Sequence, residues 1–257
     1  MTQNDNIVNY PENGHTLPAS GTTAPLQNVA LCNRLLEQAM NRPSHLPGIV
    51  AFYGFSGLGK SISAAYVANK TRAFYIECKS TWTRKALLRA ILKEMNIDPA
   101  NTNYEMVDQI GEELTLSGRP LIVDEMDYLV EKKAVNVIMD IYEASNAAIL
   151  LIGEENLPTK LRKLEKFHNR VLTWELAQPA NLTDTKHLAK LYCKEVAIAD
   201  DLLQRIQEAS RGTVRRICVN LHRVQQVALS ELGQDSITNA EWGKRELYTG
   251  EAPARRV

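Results

Sequence analysis

The 257-residue chain has no run approaching the roughly 20 apolar residues that a membrane helix needs. It has no excess charge either. Lys plus Arg and Asp plus Glu are both 30, which excludes a uniformly basic nucleic-acid coat and leaves room only for a local basic patch. The four cysteines, Cys32, Cys78, Cys193 and Cys218, form no Cys-x-x-Cys pair. That spacing argues against a zinc site and a disulfide framework, and for reduced buried thiols in a cytosolic protein. Residues 1–20 are polar, without the basic and apolar regions of a secretory leader. With 44% hydrophobic and 23% charged residues the composition is that of an ordinary globular protein, long enough for one or two domains.

Residues 1–27 carry Asn, Pro, Gly, Thr and Ser without periodicity and read as a flexible arm. Apolar residues at three-to-four spacing from Val29 to Met40 predict a helix, stopped by Pro43. Short apolar runs then alternate with helical segments. Strands are predicted at 48–53, 74–78, 120–125, 147–152 and 171–176, and helices from the lysine at 60 to near Lys70, at 81–96 and at 131–145. Continuous apolar strands between helices define an α/β fold: a parallel sheet buried on both faces by helices. Beyond about residue 180 the strand signals stop. Three helical segments, near 183–197, 199–210 and 213–232, predict a small helical lid domain. The expected division is an arm at 1–27, an α/β nucleotide-binding domain at 28–178, a lid at 179–240 and a tail at 241–257.

The sharpest motif is Gly54-Phe55-Ser56-Gly57-Leu58-Gly59-Lys60-Ser61, a Gly-x-x-x-x-Gly-Lys-Ser loop. It follows an apolar strand and opens a helix, which is the context that phosphate binding requires. The glycines let backbone N–H groups curl around phosphates, Lys60 reaches the outer phosphates, and the Ser61 hydroxyl ligates magnesium. The start of the helix, with Ile62 next in line, adds its partial positive charge. Loop residues 54–61 together with Ile62 are therefore the expected ATP contacts.

Leu121-Ile122-Val123-Asp124-Glu125 fits a partner strand. Asp124 at its carboxyl end holds magnesium, directly or through water, and Glu125 orients the attacking water. Such an acidic pair favours hydrolysis over transfer to a small molecule. Arg170 stands just before the last strand, and Arg215 lies in Arg211-Gly212-Thr213-Val214-Arg215-Arg216. On spacing alone each either stabilises γ-phosphate charge or lies in solvent.

This order of motifs resembles the AAA+ ATPases over about residues 28–232. The resemblance implies an AAA+ P-loop fold with a helical lid, ATP and Mg2+ as cofactors, and ATP hydrolysis. It makes Arg170 a finger that reaches a neighbouring subunit's ATP, and Arg215, with Arg216 a close second, the lid arginine that senses the γ-phosphate. The sensor at the end of the fourth strand falls on Glu154, Glu155 or Asn156. Within the superfamily, the stretch from Ile49 to Gly54, the loop from Gly57 to Ser61, the segment from Glu77 to Ala90 and the compact size are similar to the target-selecting transposition ATPases, among them the B proteins of Mu-like phages. That family typically carries a helix-turn-helix domain ahead of the ATPase, where a 27-residue arm stands here. The implied role is ATP-dependent, sequence-nonspecific binding of duplex DNA, self-assembly in helical or ring form on that DNA, and recruitment or activation of a transposase in the cytoplasm.

Residues 78–93 carry five basic residues and no acidic one. At 100° per residue Leu87, Leu88, Ile91, Leu92 and Met95 share one helix face, and Trp82, Lys85, Arg89 and Lys93 the opposite one if the helix starts by Trp82. Lys79, Trp82, Thr83, Arg84, Lys85 and Arg89 are the candidate contacts to a duplex backbone; a solvated helix face is the plain alternative. A second basic set, Lys160, Arg162, Lys163, Lys166 and His168, faces DNA, a neighbouring subunit or, by default, water. Arg255-Arg256 offer a tail contact. His45, His187 and His222 show no ligand spacing. Two other roles remain open on the motifs: a helper ATPase of another pathway, such as a helicase loader or a protein-remodelling or secretion ATPase, and a scaffold module that binds ATP with little turnover.

Overall fold

The computed structural model describes residues 23–251. Most of the expected arm, and Arg255-Arg256, lie outside the described residues. The described chain divides into two compact units. The first comprises Val29–Phe55 and Lys60–Ala177; the second comprises residues 23–28, Ser56–Gly59 and residues 178–251.

The first unit is built on five strands: β1 (Ile49–Tyr53), β2 (Phe74–Glu77), β3 (Leu121–Asp124), β4 (Ile149–Gly153) and β5 (Val171–Leu176). They form one parallel sheet in the order β2-β3-β4-β1-β5. Ile49, Val50, Ala51 and Phe52 are fully buried, as are Leu121, Ile122, Val123 and residues 149–152. This explains why the strands read as unbroken apolar runs rather than alternating ones. β5 departs from the expectation. It is one of the sheet's two edge strands, half-buried from Val171 to Glu175, with Leu176 exposed.

The flanking helices are α1 (Gln27–Met40), α2 (Lys60–Thr71), α3 (Arg84–Glu94), α4 (Asn103–Ser117), α5 (Asp127–Glu131), α6 (Asn136–Ser145), α7 (Leu157–Arg162) and α8 (Glu165–His168). Residues 81–83 do not join α3. Thr83 is its N-cap, with the hydroxyl accepting from Ala86 N, so the helix begins two residues after Trp82. The helix expected at 131–145 is α6, which starts at Asn136; residue 131 ends the separate short helix α5, and 132–135 are not helical. Helix α4 was not among the predicted elements. A Thr102–Glu105 capping box opens it, Met106, Ile110 and Leu114 bury one face, and Gly118 at φ +63° closes it. Gly111 lets α4 approach α6 closely, since a Cβ there would stand 2.7 Å from the Ala144 Cβ.

The second unit holds α9 (Leu182–Tyr192), β6 (Ala197–Ile198), α10 (Asp200–Ala209), α11 (Val214–Val227) with a π turn at Ala228–Leu232, β7 (Ser236–Ile237) and α12 (Asn239–Trp242). The two short strands pair in parallel, so strand structure does not end at residue 180. Leu188, Leu202, Ile206, Ile217, Leu221, Val224 and Trp242 are buried here. The Asn220 carboxamide, fully buried on α11, donates to Ser210 Oγ and Tyr248 O and accepts from Tyr248 N, which pins the last described segment to that helix. Cys32, Cys78 and Cys193 are buried thiols and Cys218 is half-buried. Burial pushes the Cys78 thiol up to about 12 and those of Cys193 and Cys218 to about 11, away from the thiolate form.

Candidate functional site

A parallel sheet brings all its strand ends to one edge, and ligands of open α/β sheets bind outside the carboxyl ends. At that edge Tyr53 gives way to the loop 54–61 and Asp124 to Glu125. Within the loop Gly54, Gly57 and Gly59 adopt φ of +153°, +84° and +84°. Gly57 and Gly59 hold left-handed backbone, which side-chain-bearing residues adopt only under strain and which suits an amide-lined phosphate cradle. Lys60 opens α2, and its Nζ donates to Gly54 O at 2.7 Å and Phe55 O at 2.9 Å. Burial lowers the Lys60 pKa, while Asp124, Glu125, Asp127 and Glu154 act to raise it. Ser61 and Ile62 are exposed, as is Phe55.

Asp124 is 1% exposed at the end of β3. Its Oδ2 accepts from the Tyr75 hydroxyl at 2.8 Å and its Oδ1 from Glu125 N at 2.7 Å. Glu125 is half-buried at φ +54°, a conformation that side-chain-bearing residues hold only when neighbours enforce it. Met126 N donates to Ile152 O at 2.8 Å and ties this turn to β4. Burial raises the Glu125 carboxyl pKa above the ordinary range. Asp124, Glu77 and Asp127 add to the rise and Lys60 opposes it. A carboxyl so raised is a stronger base towards water than a surface glutamate.

These residues suit a nucleoside triphosphate with magnesium. The glycine cradle and helix start offer backbone donors and Lys60 offers charge. Both Asp124 oxygens already accept protein hydrogen bonds, which suits a cation that keeps part of its water shell. Among the described residues no group of three or more His, Cys, Asp and Glu is placed to hold a metal by itself.

Of the three candidates for the fourth-strand sensor, Glu154, Glu155 and Asn156 are all exposed just beyond β4. The Glu154 amide donates to Asp127 Oδ2 at 2.6 Å. Asp127, 3% exposed, also receives Lys160 Nζ at 2.7 Å on Oδ1. Sequence spacing does not single out Asp127, and it leaves Lys160 to water by default; the half-buried lysine is instead paired with a buried carboxylate.

Arg170 lies at the other edge of the sheet. Val171 pairs with Ile49 at the start of β1, whereas the loop follows Tyr53, which pairs with Leu176. Five strand steps at about 3.3 Å put Arg170 roughly 17 Å from the phosphate loop of its own chain. The exposed Arg170 side chain lines a cleft of about 390 Å³ with Ser44, His45, Tyr142, Glu143, Asn146 and others. Nearby, the His168 ring stacks on Trp174 at 5.6 Å, and Trp174 meets Tyr53 edge-on at 6.3 Å.

In the second unit, Arg215 N donates to Gly57 O at 3.2 Å. A Cβ at Gly57 would stand 2.8 Å from Thr213 Cγ2 and 3.6 Å from Arg215 Cβ. Arg215, which is exposed, is thus the arginine beside the loop segment; Arg216 packs against Gly250 instead. Asn28, 4% exposed, fastens the same segment. Its Nδ2 donates to Leu58 O at 2.9 Å and Gln178 O at 2.8 Å, and its Oδ1 accepts from Gln178 N. Asn28 also escapes a reading of the sequence, because its partners lie 30 and 150 positions away.

The basic stretch is exposed at Lys79, Thr83, Arg84, Lys85 and Arg89. Trp82 falls outside α3 and packs, half-buried, against the core, with Lys79 Nζ 5.9 Å from its ring centre. It therefore leaves the cation face on which the helical wheel sets it. Arg84 donates to Lys133 O and Lys85 to Asn101 O, so both carry internal partners. Arg89 makes no hydrogen bond or ion pair among the described residues.

Residues 42–161 match a family model described as AAA domain. Comparison with curated proteins finds no match by sequence. Among solved structures, the chain is similar to the ORC2 protein of Aeropyrum pernix, described as ADPNP-ADP complexes, with 12% identity, a TM-score of 0.64 and coverage of 87% of this chain and 68% of that one. It is also similar to Cdc6p of Pyrobaculum aerophilum, with 16% identity, a TM-score of 0.60 and coverage of 91% and 69%. The fold is the AAA+ P-loop fold: a parallel five-stranded sheet flanked by helices, with a helical region after it. Among the described residues no helix is long and apolar enough to cross a membrane.

Proposed function

We propose that this chain is an ATP-hydrolysing switch that assembles on duplex DNA without reading its sequence, marks that DNA as a transposition target, and recruits or activates a transposase. One observation carries the switch. Lys60, Asp124 and Glu125 converge at one edge of the sheet, and Arg170 stands at the other, out of reach of its own loop. An arginine so placed completes the site of a second copy, and ATP then favours association.

In this reading Lys60 and the loop amides bind the β- and γ-phosphates, and Arg215 approaches from beside Gly57. Ser61 and Asp124 would hold Mg2+, which supplies charge neutralisation on the phosphates when bound. Glu125 accepts a proton from water as the water oxygen bonds to the γ-phosphorus and the bond to the ADP oxygen breaks. Lys79, Thr83, Arg84, Lys85 and Arg89 contact DNA phosphates. The ORC2 protein's complexes with ADPNP and ADP support nucleotide binding by this fold. The transposition role rests on the resemblance of the Ile49–Gly54, Gly57–Ser61 and Glu77–Ala90 stretches.

The test is duplex binding by the purified chain with ATP, ADP or no nucleotide, across a salt series, followed by strand transfer with a purified transposase. ATP-dependent, sequence-blind binding that weakens steeply with salt, with stimulated strand transfer, is the expected result. The fold likeness to Cdc6p and ORC2 favours a second reading, a helper ATPase of another pathway. Absence of DNA binding in every nucleotide state would overturn the first reading and leave the second.

A further inference from the structure

Glu125 holds a left-handed backbone, and something must hold it there. Two hydrogen bonds join its turn to the end of β4. One is Met126 N to Ile152 O; the other is Glu154 N to Asp127 Oδ2 at 2.6 Å. The second depends on a buried carboxylate, and a buried charge persists only when paired. Its partner is Lys160, 33 positions along the chain on α7, at 2.7 Å from Oδ1. Lys160 is also 3.7 Å from Glu131 and 3.9 Å from Glu154, but both of those carboxylates are mostly exposed. Gly153 shows how tight the junction is. A Cβ there would stand 2.5 Å from Asp127 Oδ2 and 2.7 Å from Leu157 Cδ2.

We propose that Asp127 and Lys160 are positioning residues for hydrolysis: the ion pair clamps the turn carrying Glu125 to the end of β4 and so aims the Glu125 carboxylate at the attacking water. This rests on the reading of Glu125 as the water-activating base. Lys160 itself touches no reacting atom. Its role is to hold the Asp127 carboxylate turned toward the Glu154 amide.

The test compares Lys160→Met, Lys160→Arg and the double variant Asp127→Asn/Lys160→Met with the parent chain. In Lys160→Met the carboxylate loses its cation and turns toward solvent, releasing the Glu154 amide. The kcat for ATP is expected to fall about 10- to 100-fold, as misplacement of a reacting group by an ångström does, with the ATP KM unchanged. Lys160→Arg restores the pair and recovers kcat. The double variant recovers it too, because a neutral carboxamide accepts from the Glu154 amide without a cation. Equal loss in the double variant, or a KM that rises in step, would overturn the proposal in favour of plain structural support. A second readout is independent of turnover. Hydrogen exchange at the Glu154 amide should be slow in the parent and the double variant and fast in Lys160→Met. If the parent chain hydrolyses nothing, the ATPase reading fails; if that exchange pattern is also absent, the clamp fails with it.

Discussion

Replacing Glu125 separates the cost of its backbone from the value of its carboxylate. At φ +54° a side-chain-bearing residue carries about 1–3 kcal/mol of strain. Glycine at the same place relieves that strain but loses about 0.5–1 kcal/mol of backbone entropy. Glu125→Gly should therefore leave stability unchanged or raise it by up to about 2 kcal/mol. Glu125→Gln keeps the strain and removes only the charge. Both variants lose the proposed base, and the hydrolysis rate should fall by about 10²- to 10⁴-fold in each. That corresponds to about 2.7–5.5 kcal/mol of barrier. ATP affinity should hold, since Lys60 and the loop are untouched. The pH dependence has a definite sign. Burial raises the Glu125 pKa, so the folded chain keeps this proton to a higher pH than the unfolded chain does. Stability from this group therefore falls as pH rises through the interval above the ordinary glutamate value. With Glu125 as the proposed base, hydrolysis needs the carboxylate and should fall as pH drops through the same raised pKa. Urea unfolding and phosphate release, each followed over pH, measure the two limbs. A Glu125→Gln chain that hydrolyses ATP within tenfold of the parent would refute the reasoning.

Three further outcomes follow from the geometry. Gly57→Val forces a β-branched side chain to φ +84° and against Thr213, so it should cost about 1–3 kcal/mol in urea unfolding and weaken ATP binding by fluorescence titration. Asn28→Ala removes three hydrogen bonds, those to Leu58 O and Gln178 O and the one from Gln178 N, so it should lower stability by about 1–3 kcal/mol and loosen the loop segment in hydrogen exchange. In the DNA assay, Lys79→Ala and Arg89→Ala should each reduce the salt slope by about 0.9 for every phosphate left without its cation, with hydrolysis in the absence of DNA unchanged.

What was legible in the sequence was what the chain writes locally. The loop at 54–61 and the Asp124-Glu125 strand end declare themselves because their spacing is short and their context, strand then helix, is adjacent. The five strands were legible because a buried parallel sheet needs no alternation. Helix α4 was missed although its Thr102–Glu105 capping box and the four-residue spacing of Met106, Ile110 and Leu114 were there to find. Trp82 was set on the wrong surface because a helical wheel does not say where a helix starts, and Thr83 decides that by capping it. Asn28, Asp127 and Lys160 carry no local mark. Their roles come from partners that only the fold brings near. The strands β6 and β7 are two residues each and stand on either side of two helices, too short for any period to show.

The stack of His168, Trp174 and Tyr53 has an optical consequence. The chain has three tryptophans, and their settings differ: Trp82 beside the basic stretch, Trp174 on β5, and Trp242 buried with its indole N–H on Arg245 O. With Trp82 and Trp242 changed to phenylalanine, Trp174 is the one remaining tryptophan, excited selectively over tyrosine at the red edge of the absorption band. It touches an imidazole two residues from Arg170 and a phenol one residue before the phosphate loop. Its emission would carry a signal from either edge of the sheet, so one fluorophore native to the chain would report both nucleotide loading and the arrival of a second copy.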